Sequence, residues 1–139
     1  MPHAIEIALL LVVVTAGWSD WRTRKIPNWI TVSGAVLGVI LHTWDSGLPG
    51  AITALGGALL GLSVFIVFFI AGGMGAGDVK LFGAVGALAG PQALILILVF
   101  TGLIGGIAAL AVVIRQRHWQ ARLPYGVVIA AGTLVQLMV

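Results

Sequence analysis

Long apolar runs, separated by short polar stretches or by Gly and Pro, dominate this chain. A helix that spans a membrane needs about 20 residues, with a lower limit near 17. The pattern predicts an all-α integral membrane protein, a bundle of six transmembrane helices, of which only the third and fifth exceed that lower limit comfortably. The predicted helices are residues 4–18, 29–41, 51–70, 79–89, 92–114 and 125–139.

The fourth run begins beside Asp78 and is closed by Gly90 and Pro91. At about 1.5 Å per residue it is too short to cross a bilayer alone. Short helices with polar ends are tolerated where protein or a water-filled cavity, rather than lipid, faces them. We therefore expect the fourth helix to be buried within the bundle.

The composition supports a membrane protein. Of 139 residues, 60% are hydrophobic and 8% are charged, too few charges to cover a soluble domain of this length. The length predicts a single membrane-embedded domain, residues 1–139. The chain has no cysteine, which excludes disulfides, Cys-based zinc sites and a cysteine nucleophile.

The basic residues predict the topology. With six spans, all seven fall in the loops after helices one, three and five, so the positive-inside rule places these loops in the cytoplasm and both termini outside. Binding of anionic headgroups, about 1 kcal/mol per charge, explains the cluster after helix one, but it does not explain the acidic Asp20 beside that cluster. The seven residues are Arg22, Arg24, Lys25, Lys80, Arg115, Arg117 and Arg122.

Two carboxylates are predicted at the cytoplasmic edge of the membrane, Asp20 and Asp78. Ionisable groups at membrane depth are functional candidates by default. Two close carboxylates cannot both ionise cheaply, so one keeps a proton at neutral pH. The ionised partner can take a proton from water while the other protonates the scissile carbonyl oxygen. This is peptide hydrolysis without a covalent intermediate; the structural alternative for Asp78 is a helix N-cap.

The residues around these carboxylates are candidates for shaping a site or contacting a substrate. Glycines at alternate positions before Asp78 allow positive φ and close approach of another chain. Pro27 fixes the backbone before helix two, and Asn28 is a candidate cap for that helix. Lys80 lies two positions after Asp78, so the two do not face each other on a helix. The site-shaping candidates are Gly75, Gly77, Lys80, Pro27 and Asn28.

The sequence lacks the residue sets that metal, serine-nucleophile or nucleotide chemistry would need. His3, His42 and His118 lie in three different segments and are interpreted as interfacial residues rather than metal ligands. No serine has a His or Lys in a suitable setting, and the glycine run lacks the G-K-[ST] ending of a P-loop. We expect no metal, no other cofactor and no nucleic-acid partner.

Three stretches together resemble the type IV prepilin peptidases: Asp20 followed after five residues by Ile-Pro-Asn, "GAGDVK" with its GxGD core, and "LPYGVVIAAG" at 123–132. The resemblance covers nearly the whole chain in order. It implies a six-helix aspartic peptidase of the inner membrane, with Asp20 and Asp78 as the catalytic pair. Its substrates would be membrane-inserted prepilins or pseudopilins, cut at the cytoplasmic face after a short leader that usually ends in glycine.

Longer family members carry an N-terminal cytoplasmic domain linked to methylation, often with paired cysteines, and the sequence shows neither. It therefore resembles the short peptidase-only branch serving Tad/Flp-type pili, and methylation is not expected. Presenilin-like proteases share the GxGD core but have more helices and other motifs, which makes them the second choice within proteases. The alternative from another class is a small membrane carrier or scaffold whose Asp pair binds a proton or cation. Coupling sites of carriers tend to lie near the midplane rather than at one face.

Overall fold

The computed structural model describes residues 3–23, 25–71, 75–116 and 125–138, and within these ranges it contains helices and no strands. Three of the helices are long and apolar enough to cross a membrane: α1, α3, and the stretch Ala76–Ala111 of α4. The all-α class is thereby confirmed, while the count of six spans remains a prediction. The five helices are α1 (His3–Thr23), α2 (Asn28–Ser46), α3 (Leu48–Ile70), α4 (Ala76–Gln116) and α5 (Tyr125–Met138).

Helix α4 folds back on itself at Gly90, whose φ of 83° and ψ of 166° are not helical. Pro91 follows, and proline disfavours a helical conformation in the residue before it. A Cβ at Gly86 would lie 3.1 Å from Cδ2 of Leu94, although residues eight apart on a straight helix are separated by about 12 Å along the axis. Helix α4 therefore has a first segment, 76–89, and a second segment, 91–116, divided where the sequence predicts a boundary.

The first segment of α4 forms the centre of the protein. Residues 81–90 are all buried, and α4 contacts each of the other four helices. The ring of Phe82 stacks on that of Phe65 from α3, with centroids 3.9 Å apart. Because protein rather than lipid surrounds this segment, it can be shorter than a bilayer is thick, as expected for the fourth predicted helix.

Glycines set how closely the neighbouring helices approach this segment. A Cβ on Gly57 of α3 would collide with the carbonyl oxygen of Gly86, and a Cβ on Gly86 with that of Gly57. On α2, a Cβ at Gly34 would lie 3.3 Å from Cβ of Ala84, and one at Gly38 would lie 2.6 Å from the carbonyl carbon of Ala87. Small residues of this kind allow backbone-to-backbone packing of membrane helices.

The order of these contacts fixes the helix directions. Gly34 of α2 lies against Ala84 of α4, and Gly38 lies against Ala87. Residue numbers therefore increase in the same direction along both helices, so α2 and the first segment of α4 run parallel. The N-termini of these two helices consequently lie at the same end of the bundle. The C-terminal end of α1 is at this end too, because residues 24–27 join it to α2.

Several helices are longer than predicted. Helix α1 continues to Thr23 instead of ending at residue 18, α2 continues to Ser46 instead of 41, and α3 begins at Leu48 instead of 51. A single residue, Gly47 with φ 70°, connects α2 to α3. The predicted ends were wrong because they followed hydropathy, whereas backbone hydrogen bonding continues into polar residues. The difference matters at α1, where it places Asp20 within a helix.

His42, interpreted from the sequence as an interfacial residue, contacts α4. Its Nε2 atom lies 2.8 Å from the carbonyl oxygen of Leu88. Leu88 is in the last turn of the first segment, where carbonyl groups have no partner within their own helix. The His42 imidazole therefore gives the carbonyl of Leu88 a hydrogen-bond partner in place of the one it lacks because the helix is interrupted at Gly90.

Candidate active site

Asp20 lies in the last turn of α1 and is 6% exposed. Asp78 lies near the start of α4 and is half-buried. The two carboxylates are close enough for the charge of Asp20 to act on Asp78. The two acidic side chains that the sequence singled out, 58 positions apart, are thus brought together at one end of the bundle.

The carboxylate of Asp78 is anchored to the beginning of its own helix. Its Oδ2 accepts a hydrogen bond from the backbone N–H of Gly75 at 3.2 Å. In return, the N–H groups of Asp78 and Val79 donate to the carbonyl oxygen of Gly75, at 3.2 and 3.4 Å. Gly75 is therefore the capping position, and the suggestion that Asp78 itself is the N-cap is wrong. Asp78 is the third helical residue, where helix N–H groups and the macrodipole favour a carboxylate.

Two hydroxyl groups hold the link between α1 and α2. Ser19 Oγ donates a hydrogen bond to the carbonyl oxygen of Lys25 at 2.7 Å, and Thr23 Oγ1 contacts the same oxygen at 3.4 Å. Thr23 Oγ1 also donates to the carbonyl oxygen of Ser19 at 2.9 Å. These bonds turn the chain back over the end of α1, directly beside Asp20. Neither residue was recognisable from the sequence as part of the site, because nothing marks the carbonyl of Lys25, six positions after Ser19 and two after Thr23, as their partner.

The two sequence motifs are in contact. A Cβ at Gly77 would lie 3.5 Å from Cβ of Ile26 and 3.6 Å from its carbonyl oxygen. The ammonium group of Lys80 donates a hydrogen bond to Oδ1 of Asn28 at 3.1 Å. The Ile-Pro-Asn stretch therefore packs against the first turns of α4, next to Asp78.

Asn28 does not have the capping role predicted for it. The N-cap of α2 is Pro27, with an extended backbone (φ −61°, ψ 143°) and no side-chain capping bond. The carbonyl oxygen of Pro27 accepts a hydrogen bond from the N–H of Ile30 at 3.1 Å. Asn28 is the first helical residue, and its side chain reaches across to Lys80 instead.

The glycines before Asp78 do not need their conformational freedom in this structure. Among the described residues, positive φ occurs at Gly47 and Gly90, so Gly75 and Gly77 do not use the positive φ that glycine allows. A Cβ at either position would meet nothing nearer than 3.5 Å. Because Gly75 has no side chain, space remains beside the carboxylate of Asp78, whereas Gly77 lies against Ile26. Gly72 and Gly73, the other members of the run, lie outside the described residues.

Other residues singled out in the sequence lie at or beyond the limits of the described ranges. Tyr125 begins α5, while Leu123 and Pro124 of the third motif lie outside the described residues, as do Arg24, Arg117, His118 and Arg122. In the part of the chain that is described, no three His, Cys, Asp or Glu side chains come together in a group that could hold a metal ion.

The sequence is similar to those of known proteins. The type IV leader peptidase family matches residues 7–110. The chain is 33% identical over 141 residues to the prepilin leader peptidase/N-methyltransferase of Bacillus subtilis (strain 168), covering 96% of this chain and 54% of that protein. It is 30% identical over 140 residues to the protein of the same name from Aeromonas salmonicida (strain A449), covering 94% and 48%.

The chain therefore spans about half the length of the curated relatives it matches. No solved structure matches it. Both relatives are aligned over nearly all of this sequence, and the family match includes Asp20, Asp78 and the residues that join them. On this evidence the chain belongs to the type IV leader peptidase family.

Proposed function

We propose that this chain is an aspartic endopeptidase that removes the short leader of prepilins or pseudopilins, with Asp20 and Asp78 as its acid–base pair. The observation that carries the proposal is the proximity of these two carboxylates, one from the last turn of α1 and one from the first turn of α4. The names of the relatives, prepilin leader peptidases, supply the substrate class.

The chemistry needs one proton shared between the two acids. Because two neighbouring carboxylates repel each other when both are ionised, one of them holds a proton. The ionised carboxylate takes a proton from a water molecule as the water oxygen attacks the carbonyl carbon of the leader peptide bond. The protonated acid donates its proton to the carbonyl oxygen. When the resulting tetrahedral gem-diol collapses, one of its hydroxyl groups returns a proton to the pair and the C–N bond breaks. The leaving nitrogen takes the proton that the pair had removed from water, which restores the pair to its starting state.

The residues around the pair border a space that a substrate could occupy. Gly75 leaves space beside Asp78 in which an extended peptide backbone can lie, and Gly77 allows Ile26 to pack against α4. Pro27, Asn28 and Lys80 border the same space on the side of α2. We assign these five residues a role in shaping the site rather than in proton transfer.

The proposed topology has six spans, with the site at the cytoplasmic face of the inner membrane and both termini outside. The parallel course of α2 and the first segment of α4 supports it, because a six-span chain has its second and fourth helices running in the same direction. Arg22, Lys25 and Lys80 are exposed at the end that holds the carboxylates, the side that the positive-inside rule assigns to the cytoplasm. A single membrane-embedded domain, residues 1–139, would contain the whole site.

The test is release of a leader by the purified protein in detergent. Incubation with a full-length prepilin should give one cut, after the last glycine of the leader, identified by mass spectrometry of both products. An intact prepilin after prolonged incubation, together with pH-dependent proton or cation binding that requires Asp20 and Asp78, would favour the carrier alternative instead.

A further inference from the structure

We propose that Lys80 and Asn28 are positioning residues: their hydrogen bond braces the start of α2 against the start of α4 and so fixes where Asp78 stands relative to Asp20. This inference rests on the proposed function, since the geometry it maintains is that of the acid–base pair. It assigns Lys80 to the architecture of the site and not to contact with substrate.

The brace has two points of contact between the same two pieces of chain. At one, Lys80 Nζ donates to Asn28 Oδ1 at 3.1 Å. At the other, Ile26 packs on Gly77, within 3.6 Å of a Cβ placed there. Asp78 lies between Gly77 and Lys80, so a contact flanks it on each side. Two contacts fix the orientation of this turn of α4 as well as its distance from the link.

The link is itself fixed to the end of α1. Ser19 Oγ holds the carbonyl oxygen of Lys25 at 2.7 Å, and Ser19 is the residue before Asp20. A continuous series of contacts thus runs from Asp20 through Ser19, Lys25 and Ile26 to the turn that carries Asp78. The Lys80–Asn28 bond closes this series on its far side.

A single exposed hydrogen bond contributes little to folding stability, because its partners are well solvated when it is broken. Its contribution to catalysis can be much larger, since a displacement of about 1 Å between reacting groups can cost about a hundredfold in rate. A brace is therefore expected to affect turnover far more than stability or substrate affinity. This separates it from a lysine that binds substrate, whose removal raises KM, and from a lysine that only supports the fold.

The first experiment measures leader release by Lys80→Met, Asn28→Leu and the double variant. Each single change should lower kcat by about tenfold to a hundredfold, with KM changed less than twofold and an unchanged melting temperature. The double variant should be no slower than the slower single variant, because both remove one interaction. Lys80→Arg, which keeps a donor to Asn28, should restore most of the rate. Arg22→Gln is the control for losing one exposed positive charge at this end and should retain wild-type kcat.

The second experiment replaces the brace covalently. The chain has no cysteine, and the 3.5 Å between Cβ of Ile26 and a Cβ at Gly77 lies in the range found in disulfides. In the variant combining Ile26→Cys, Gly77→Cys and Lys80→Met, oxidation should raise kcat several-fold over the same protein reduced. The comparison is internal, so any effect of the cysteines themselves cancels.

Additive losses in the double variant, a raised KM in Lys80→Met, or no gain on oxidation would each overturn the proposal. If the wild-type protein and Arg22→Gln release no leader at all, it is the peptidase assignment that fails. The brace is then tested without activity, by the rate at which Ile26→Cys and Gly77→Cys form their disulfide. That rate should fall several-fold when Lys80→Met is added, and an unchanged rate would overturn the brace as well.

Discussion

Oδ2 of Asp78 accepts a hydrogen bond from the N–H of Gly75 at 3.2 Å, which ties one candidate catalytic carboxylate to the start of its own helix. Asparagine at position 78 keeps an oxygen that can accept this bond but cannot exchange a proton. We therefore expect Asp78→Asn to fold and insert normally while losing at least about a hundredfold in leader release, the scale of acid–base catalysis. Asp20→Asn should lose as much, measured as kcat/KM on a prepilin.

The double variant Asp20→Asn/Asp78→Asn should be barely slower than either single variant, because groups that act as one unit are not additive. Glu6→Gln and Asp45→Asn serve as matched controls, since both remove a carboxylate from elsewhere in the chain. They should cleave at the wild-type rate. Appreciable turnover by either single Asp20 or Asp78 variant would remove that residue from the mechanism.

The topology can be checked on α2, whose 19 residues extend about 28 Å at 1.5 Å per residue, close to the thickness of the hydrocarbon core. Lys25 lies just before the start of α2 and Ser46 is its last residue, and both are exposed. A cysteine at position 25 should react with a membrane-impermeant thiol reagent only from the cytoplasm, and one at position 46 only from outside. Position 117 should behave like position 25. Labelling of 25 and 46 from the same side would contradict the six-span arrangement.

Leader release should not depend on a metal ion. The proposed chemistry uses only carboxylates and water. Protein dialysed against EDTA should therefore release the leader at the same rate as untreated protein. The control is the same treatment followed by addition of Mg²⁺ or Zn²⁺. Loss of activity that one of these ions restores would mean that the Asp pair acts as a ligand set instead.

The packing of α3 on α4 predicts where glycine is needed for stability. Gly57→Ala places a methyl group against the carbonyl oxygen of Gly86, so the helices must move apart at a cost of about 1–3 kcal/mol. Gly102→Ala is the matched control, because a Cβ there meets nothing within 4 Å and alanine favours a helix by about 1 kcal/mol. Thermal unfolding in detergent should show a lower melting temperature for Gly57→Ala and an unchanged or higher one for Gly102→Ala.

The glycine beside the candidate catalytic residue should behave differently. A methyl group at Gly77 meets only ordinary contacts with Ile26, at 3.5 Å and beyond, so Gly77→Ala should fold with an unchanged melting temperature. If substrate backbone lies over this position, the variant should show a raised KM for prepilin. Equal KM values for wild type and Gly77→Ala would place the substrate elsewhere.

Much of the architecture could be read from apolar runs and Gly-Pro punctuation. The fold-back at Gly90 was predictable because proline ends a helix locally, and the burial of the first segment of α4 because it is too short to face lipid. The ends of α1 and α2 were not predictable from hydropathy. Polar residues such as Ser19 and Thr23 continue α1 past the apolar run, by forming side-chain bonds that depend on the position of the following link.

In the candidate site too, some features could be predicted from the sequence and others could not. Asp20 and Asp78 were identifiable because a carboxylate in an apolar chain demands an explanation. The pairing of Lys80 with Asn28 was not, since it joins positions 52 apart and depends on α2 and α4 running parallel. Each residue alone fits a simpler local role, a cap for Asn28 and a surface charge for Lys80. Contacts between motifs require the tertiary arrangement, which local patterns do not contain.

Helix α2 is fastened to the first segment of α4 at both ends, by Asn28 to Lys80 at one and by His42 to Leu88 at the other. Between these points, Gly34 and Gly38 bring the two backbones into close packing. Contacts at both ends and along the middle hold the two helices in one register, so we expect them to move together as one body. Asp78 belongs to that body, whereas Asp20 belongs to α1, which is tied to the body through the bond from Ser19 to the carbonyl oxygen of Lys25 and the packing of Ile26 on Gly77. We therefore expect that widening the gap between the carboxylates to admit a peptide bond requires α1 to move relative to that body.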